Sequence, residues 1–198
     1  MAFLNALFTA ALDNNLVFAQ LIGMVSVILV AARPQDSWCF GAMIAIATAV
    51  AGALGWPLYT QLLQPWGVTF LAPLAYVLVS WTAIVVTATV LGSGKTAVER
   101  ERLLRVCPIV ACNAAVLAVA LGNAAVAETL TWDAALGTSV GAGLGVLLAV
   151  VLFAFVRSRI DERLVPAALR GLPITLVTAS LMALAFTGVA GIAGGLFA

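Results

Sequence analysis

All nine lysines and arginines of this chain fall into three groups: Arg33; Lys95, Arg100, Arg102 and Arg105; and Arg157, Arg159, Arg163 and Arg170. The long stretches between them are almost wholly apolar. A helix rises about 1.5 Å per residue, so a hydrocarbon core of about 30 Å takes about 20 residues. That ruler places six membrane spans, at 3–32, 38–62, 67–92, 106–127, 134–156 and 172–196. The cationic groups then occupy alternate connections. The loop at 64–67 carries no charge, and the one around Glu128 and Asp133 is acidic only. By the positive-inside rule the cationic loops face the cytoplasm, and both termini lie outside. Trp38, Trp66 and Trp132 sit near span ends, where an interfacial aromatic belt would place them.

Composition supports this class and excludes others. Hydrophobic residues make up 64% of the chain and charged residues 9%, with a mean hydropathy of +1.18, whereas a soluble domain is about 25% charged. The expected partner surface is the lipid bilayer. A net charge of +1 offers no basic face to nucleic acid. Histidine is absent, which removes the commonest proton shuttle and metal ligand and argues against a zinc hydrolase or a haem protein. Cys39, Cys107 and Cys112 lack C-x-x-C spacing and suggest no disulfide framework. With no cation before Arg33, the N-terminal stretch lacks the basic region of a signal peptide and reads as part of the mature protein.

Two spans are interrupted. Asp13, Asn14 and Asn15 break the first, and Pro108, Cys112 and Asn113 lie in the fourth. Polar backbone breaks at membrane depth are stable only against protein or a wet cavity, and a pair of broken helices is a pointer to a midplane site in an inverted repeat. Residues 2–12 would cross about half a bilayer and 16–32 most of one, which puts Asp13 deep. A carboxylate there costs about 2.5–3.5 kcal/mol, so it should be paired, protonated or solvated. The other reading makes 1–15 an interfacial segment. Three spans per half reverse the direction of the second half, so any repeat is inverted. The pairs Pro73/Ser80 and Pro173/Ser180, and the shared break at Asn15 and Asn113, are its traces. The expected fold class is therefore all-α integral membrane: six helices in an inverted 3+3 repeat over 1–92 and 106–198, a single membrane domain with a cytoplasmic connector at 93–105.

Gly137, Gly141 and Gly145 recur every fourth residue on the fifth span, a small-xxx-small face that admits another helix closely. Gly143 completes a G-A-G-L-G run that resembles a dinucleotide loop, but no strand precedes it. The run at 91–96 imitates the end of a phosphate-binding loop, yet Thr89 stands where the first glycine is needed. The arginines at 157–170 orient the chain and meet headgroups, or else dock a soluble redox partner. Cys107 and Cys112 are too few for a cluster within one chain, and four thiolates would need another subunit.

Several motifs together resemble the RnfA/NqrE family, membrane subunits of Rnf electron-transport complexes and of sodium-translocating NADH:quinone oxidoreductases. They are Gly141-Ala-Gly-Leu-Gly145, Val165-Pro166, Arg170-Gly-Leu-Pro-Ile-Thr175, Leu181-Met-Ala-Leu-Ala-Phe186, Pro108-Ile-Val-Ala-Cys-Asn113 with Ala115-Val-Leu117, and Asn14-Asn15 followed by Ile22-Gly-Met24. The similarity runs along essentially the whole chain. It implies a homologous six-helix sister subunit, further flavin and iron–sulfur subunits, and electron transfer coupled to Na⁺ or H⁺ movement. It also implies a [2Fe–2S] cluster held between the two sister subunits, with one cysteine from each broken helix of each. At those two family positions this sequence has Val25 and Ala114, which cannot bind iron. Cys112 lies two residues before Ala114, about 200° round a regular helix, and would substitute only if the break reorients it. The cofactor therefore does not carry over with the scaffold. No catalysis is expected from this chain alone. Alternatives on the same scaffold are a non-redox transporter, in which Asp13, Asn14, Asn15, Asn113 and Asn123 supply oxygen to a cation, and a structural role in assembly.

Overall fold

The computed structural model describes residues 2–31, 34–94, 96–97, 99–101, 104, 107, 110 and 113–189. Among them every regular element is helical. Helix α1 (Ala2–Phe8) runs into a wide π turn, Thr9–Asp13, closed by the Asn14 N–H on the Thr9 carbonyl at 2.7 Å. Helix α2 is Met24–Ala31 and α3 is Pro34–Leu58. Pro57, inside α3, has no N–H for the ladder, and the helix widens directly after it into the π turn Tyr59–Leu63. A 3₁₀ turn, Thr69–Leu71, leads into α4 (Ala72–Gly92), where Pro73 in the first turn loses no hydrogen bond. Helix α5 is Ala114–Ala125 and α6 is Trp132–Ser158. Asp133 in the first turn of α6 and Arg157 in its last both complement the helix dipole. Helix α7 is Leu172–Val189.

Among the described residues, three stretches are long and apolar enough to cross a bilayer: Ser37–Leu63, Thr69–Val90 and Trp132–Ser158, of 27, 22 and 27 residues. Ala2–Asp13, Ala114–Ala125 and Leu172–Gly188 are shorter apolar helices. This is a multi-pass arrangement. The full six-span expectation is met in part, and the first span differs most. Residues 16–32 read as one helix, but helix begins only at Met24. The intervening 14–23 form a folded turn, and Leu21 and Gly23 within it take positive φ, 58° and 77°. No group of three His, Cys, Asp or Glu side chains converges as a metal site would require among the described residues.

Helix α6 is the axis of the packing, lying against α3 along its length and against α1, the π turn and α2 on another side. Its glycines face the backbone of α1. A methyl group at Gly137 would meet the Phe3 carbonyl, at Gly141 the Leu7 carbonyl, and at Gly145 the Ala11 carbonyl, 2.9 Å away. Phe3, Leu7 and Ala11 are one helical turn apart, so the half-helix α1 lies in a groove with no side chain on its floor. Gly143 points instead at Ala45 of α3. In hydrocarbon, such close backbone approach and the dispersion contacts it permits replace the hydrophobic drive of soluble packing.

Candidate functional site

The site grows from two asparagines at the breaks. Asn15 is fully buried. Its Nδ2 donates to the Ala11 carbonyl at 2.9 Å and to the Gly145 carbonyl at 3.0 Å. Its Oδ1 accepts from the backbone N–H groups of Val17 (3.0 Å) and Phe18 (3.2 Å). One side chain thus closes the end of α1, caps the turn that follows and fastens both to α6. Two donated and two accepted bonds use the whole capacity of the amide. Asn14 is exposed and accepts from Gln20 Nε2 at 2.8 Å, while Asp13 is partly buried at the end of the π turn.

Beyond Asn15 the chain makes a single turn. The Ala19 and Gln20 N–H groups return to the Asn15 carbonyl, and Ile22 N–H to the Leu16 carbonyl. Leu16, Val17 and Phe18 are buried, and the Phe18 ring packs on Phe186 of α7 with centroids 4.6 Å apart. At Gly23 the chain enters α2, and the Ser26 hydroxyl donates back to the Gly23 carbonyl at 2.6 Å.

Helix α5 starts in the same neighbourhood. Asn113 is extended, with ψ of 133°, and its Oδ1 accepts from the Ala115 N–H at 2.8 Å, an N-cap of ordinary geometry. Its Nδ2 donates to the Ser26 hydroxyl at 2.6 Å. A methyl group at Gly23 would sit 3.2 Å from both the Ala115 Cβ and the Asn113 Oδ1. The starts of α2 and α5 therefore interlock: Asn113 donates to Ser26, and Ser26 donates to Gly23. Asn123, two and a half turns along α5, ties that helix to α6 by donating to the Ala135 carbonyl (3.2 Å) and the Ser139 hydroxyl (3.0 Å).

This geometry revises the pairing of Asn15 with Asn113. Asn113 immediately precedes a half-helix, whereas Asn15 lies nine residues before Met24 and caps only one turn. The residue that stands before α2 as Asn113 stands before α5 is Gly23. Sequence reasoning does not find Ser26 or Ser139, and it meets Gly23 only as part of the Ile22-Gly-Met24 motif. The signal for Ser26 is a glycine three residues before it, just past a polar break. Cys112 and Pro108 lie outside the described residues; Cys107 is buried and Cys39 partly so.

Val25 and Ala114, the positions the resemblance assigns to cluster ligands, are each in the first turn of a half-helix and both exposed, Val25 by 73%. The structure brings these two helix starts together. It puts no sulfur at either position.

The fold and this site define a polytopic membrane protein organised around the meeting of two half-helices. Residues 3–193 match the family model described as Rnf-Nqr subunit, membrane protein, and the chain belongs to that family. It is 29% identical over 191 residues to a subunit of the Na⁺-translocating ferredoxin:NAD⁺ oxidoreductase complex of Acetobacterium woodii, covering 96% of this chain and 98% of the relative. To a subunit of the ion-translocating oxidoreductase complex of Syntrophotalea carbinolica it is 32% identical over 186 residues, 94% and 95% of the two chains. The corresponding protein of Yersinia enterocolitica is 35% identical over 182 residues, 91% and 92%.

Proposed function

We propose that this chain works as one half of a pair with a homologous six-helix sister subunit, inside a complex that also carries flavin and iron–sulfur subunits. It is a membrane subunit of an Rnf/Nqr-type redox complex and belongs to an oxidoreductase only in that capacity. Its relatives' names attach ion translocation to the complex, and in one case ferredoxin, NAD⁺ and Na⁺. The role that follows is support of transmembrane electron transfer coupled to Na⁺ or H⁺ movement. The observation that carries this reading is the unbroken match over 3–193 at relatives' full length. Six crossings in an inverted 3+3 order, with both termini outside, are the finer form of the proposal. They are supported by three long apolar helices, three shorter ones, and the two half-helix starts that meet at Ser26 and Asn113.

The cation-carrier alternative fares less well against the geometry. The Asn15 Oδ1 already accepts two N–H groups and is filled, and the Asn113 Oδ1 accepts one as the cap of α5. Purification through a tag on this chain from mild detergent tests the proposal. Recovery of the sister subunit with the flavin and iron–sulfur subunits in fixed ratio is expected. A stable, monodisperse chain recovered alone would overturn it.

A further inference from the structure

We infer that this chain supplies no ligand to a membrane iron–sulfur cluster. The inference rests on the family reading above, because only the family brings such a cluster to this place in the fold, and it concerns what the residues present can hold. Clusters are held by cysteine thiolates, with imidazole replacing two of them in Rieske centres. The chain has no histidine at all. Positions 25 and 114 lie in the first turns of two half-helices whose neighbours touch, Gly23 against Ala115 and Ser26 against Asn113. Both are exposed. Valine and alanine present only C–H there, and no lone pair.

The nearby polar atoms offer no replacement. The Asn113 amide gives one bond to Ser26 and takes one from Ala115, and the Ser26 hydroxyl donates to the Gly23 carbonyl; neither group is a thiolate or an imidazole. Of the native sulfurs, Cys107 is 1% exposed within the apolar core, and Cys39 stands on α3, partly buried against that core. Cys112 lies outside the described residues, and the experiment below includes it for that reason. Among the described residues the donor set does not fit the group. The two helix starts meet, and positions 25 and 114 at them carry no sulfur.

The test uses the minimal pair of this chain and its sister, purified through a tag on this chain. Iron and labile sulfide per assembled pair are measured, with low-temperature EPR after dithionite reduction, for the wild type and for Cys39→Ala, Cys107→Ala and Cys112→Ala. Expressing iron per assembled pair keeps a loss of folding from imitating a loss of ligand. The expected result is the same iron content in all four samples, whether that content is nil or is held by the sister alone. Iron that falls to background in any one variant would overturn the inference. Failure of the pair to assemble would instead overturn the complex-membership reading. Iron on the isolated wild-type chain would then decide the inference by itself, its presence refuting and its absence sustaining it.

Discussion

The Asn113 amide reaches the Ser26 hydroxyl across 87 residues of sequence, with 2.6 Å between nitrogen and oxygen. Both groups are buried, so this bond joins two half-helix starts where water is not available as a substitute partner. Asn113 also caps α5, and Ser26 also closes the turn at Gly23. The two residues are one unit, and their removal should not be additive. Asn113→Ala is expected to cost about 1–3 kcal/mol, the sum of a lost cap and an unpaired buried group. Ser26→Ala should cost less, and the double variant clearly less than the two single costs together. Denaturant unfolding in detergent for the four proteins gives the coupling. Strict additivity would show that the bond does not form.

Asn15 predicts a larger effect. Asn15→Leu leaves the Gly145 and Ala11 carbonyls and the Val17 and Phe18 N–H groups without their partner. At about 1–3 kcal/mol for each of the two buried N–H groups left without an acceptor, the loss is at least about 2 kcal/mol, enough to deplete folded protein from the membrane. Asn14→Ala, at an exposed position, should change stability by less than about 0.5 kcal/mol. Fluorescence-detected gel filtration of both variants is the check, and equal profiles would contradict the assignment.

Glycine positions separate in the same way. Gly141→Ala drives a methyl into the Leu7 carbonyl and must push α1 off α6, at about 1–3 kcal/mol. Gly122→Ala meets nothing within 4 Å and sits in a helix, so it should be neutral or stabilising by up to about 1 kcal/mol. Melting curves of the two variants in one detergent distinguish them by sign.

How much of this is legible in the sequence follows from what each residue does. Asn15 and Asn113 stand out because an amide in an apolar run must find partners, and the glycine spacing on α6 reads directly as a close helix contact. The long turn at 14–23 does not, because Leu16, Val17 and Phe18 are as apolar as any helix of this chain. Their burial is tertiary, Phe18 packing on Phe186 of α7, which no periodicity reveals. Asn14 and Asn15 mark where the turn begins and Gly23 where it ends, and Leu21 carries no mark. Ser26 is easily passed over because a serine in an apolar stretch ordinarily bonds its own helix, as Thr48 does to the Ile44 carbonyl.

Leu21 holds a φ of 58°, a conformation that costs a branched side chain about 1–2 kcal/mol, and its side chain is 61% exposed. Leu21→Gly should therefore raise stability by about 1 kcal/mol with no loss of assembly. A drop in stability would mean that the exposed leucine is covered in the assembled complex, and comparison of the pair with the isolated chain would show where.

We propose that this chain serves electron-driven ion movement as a scaffold built on two interlocked half-helix starts. The most direct test is ion uptake by inverted membrane vesicles, driven by NADH or reduced ferredoxin, from cells lacking the chain and complemented with wild type or with Asn15→Leu. Uptake is expected with the wild type, and none without the chain or with the variant. Undiminished redox-driven uptake in vesicles without the chain would contradict the claim.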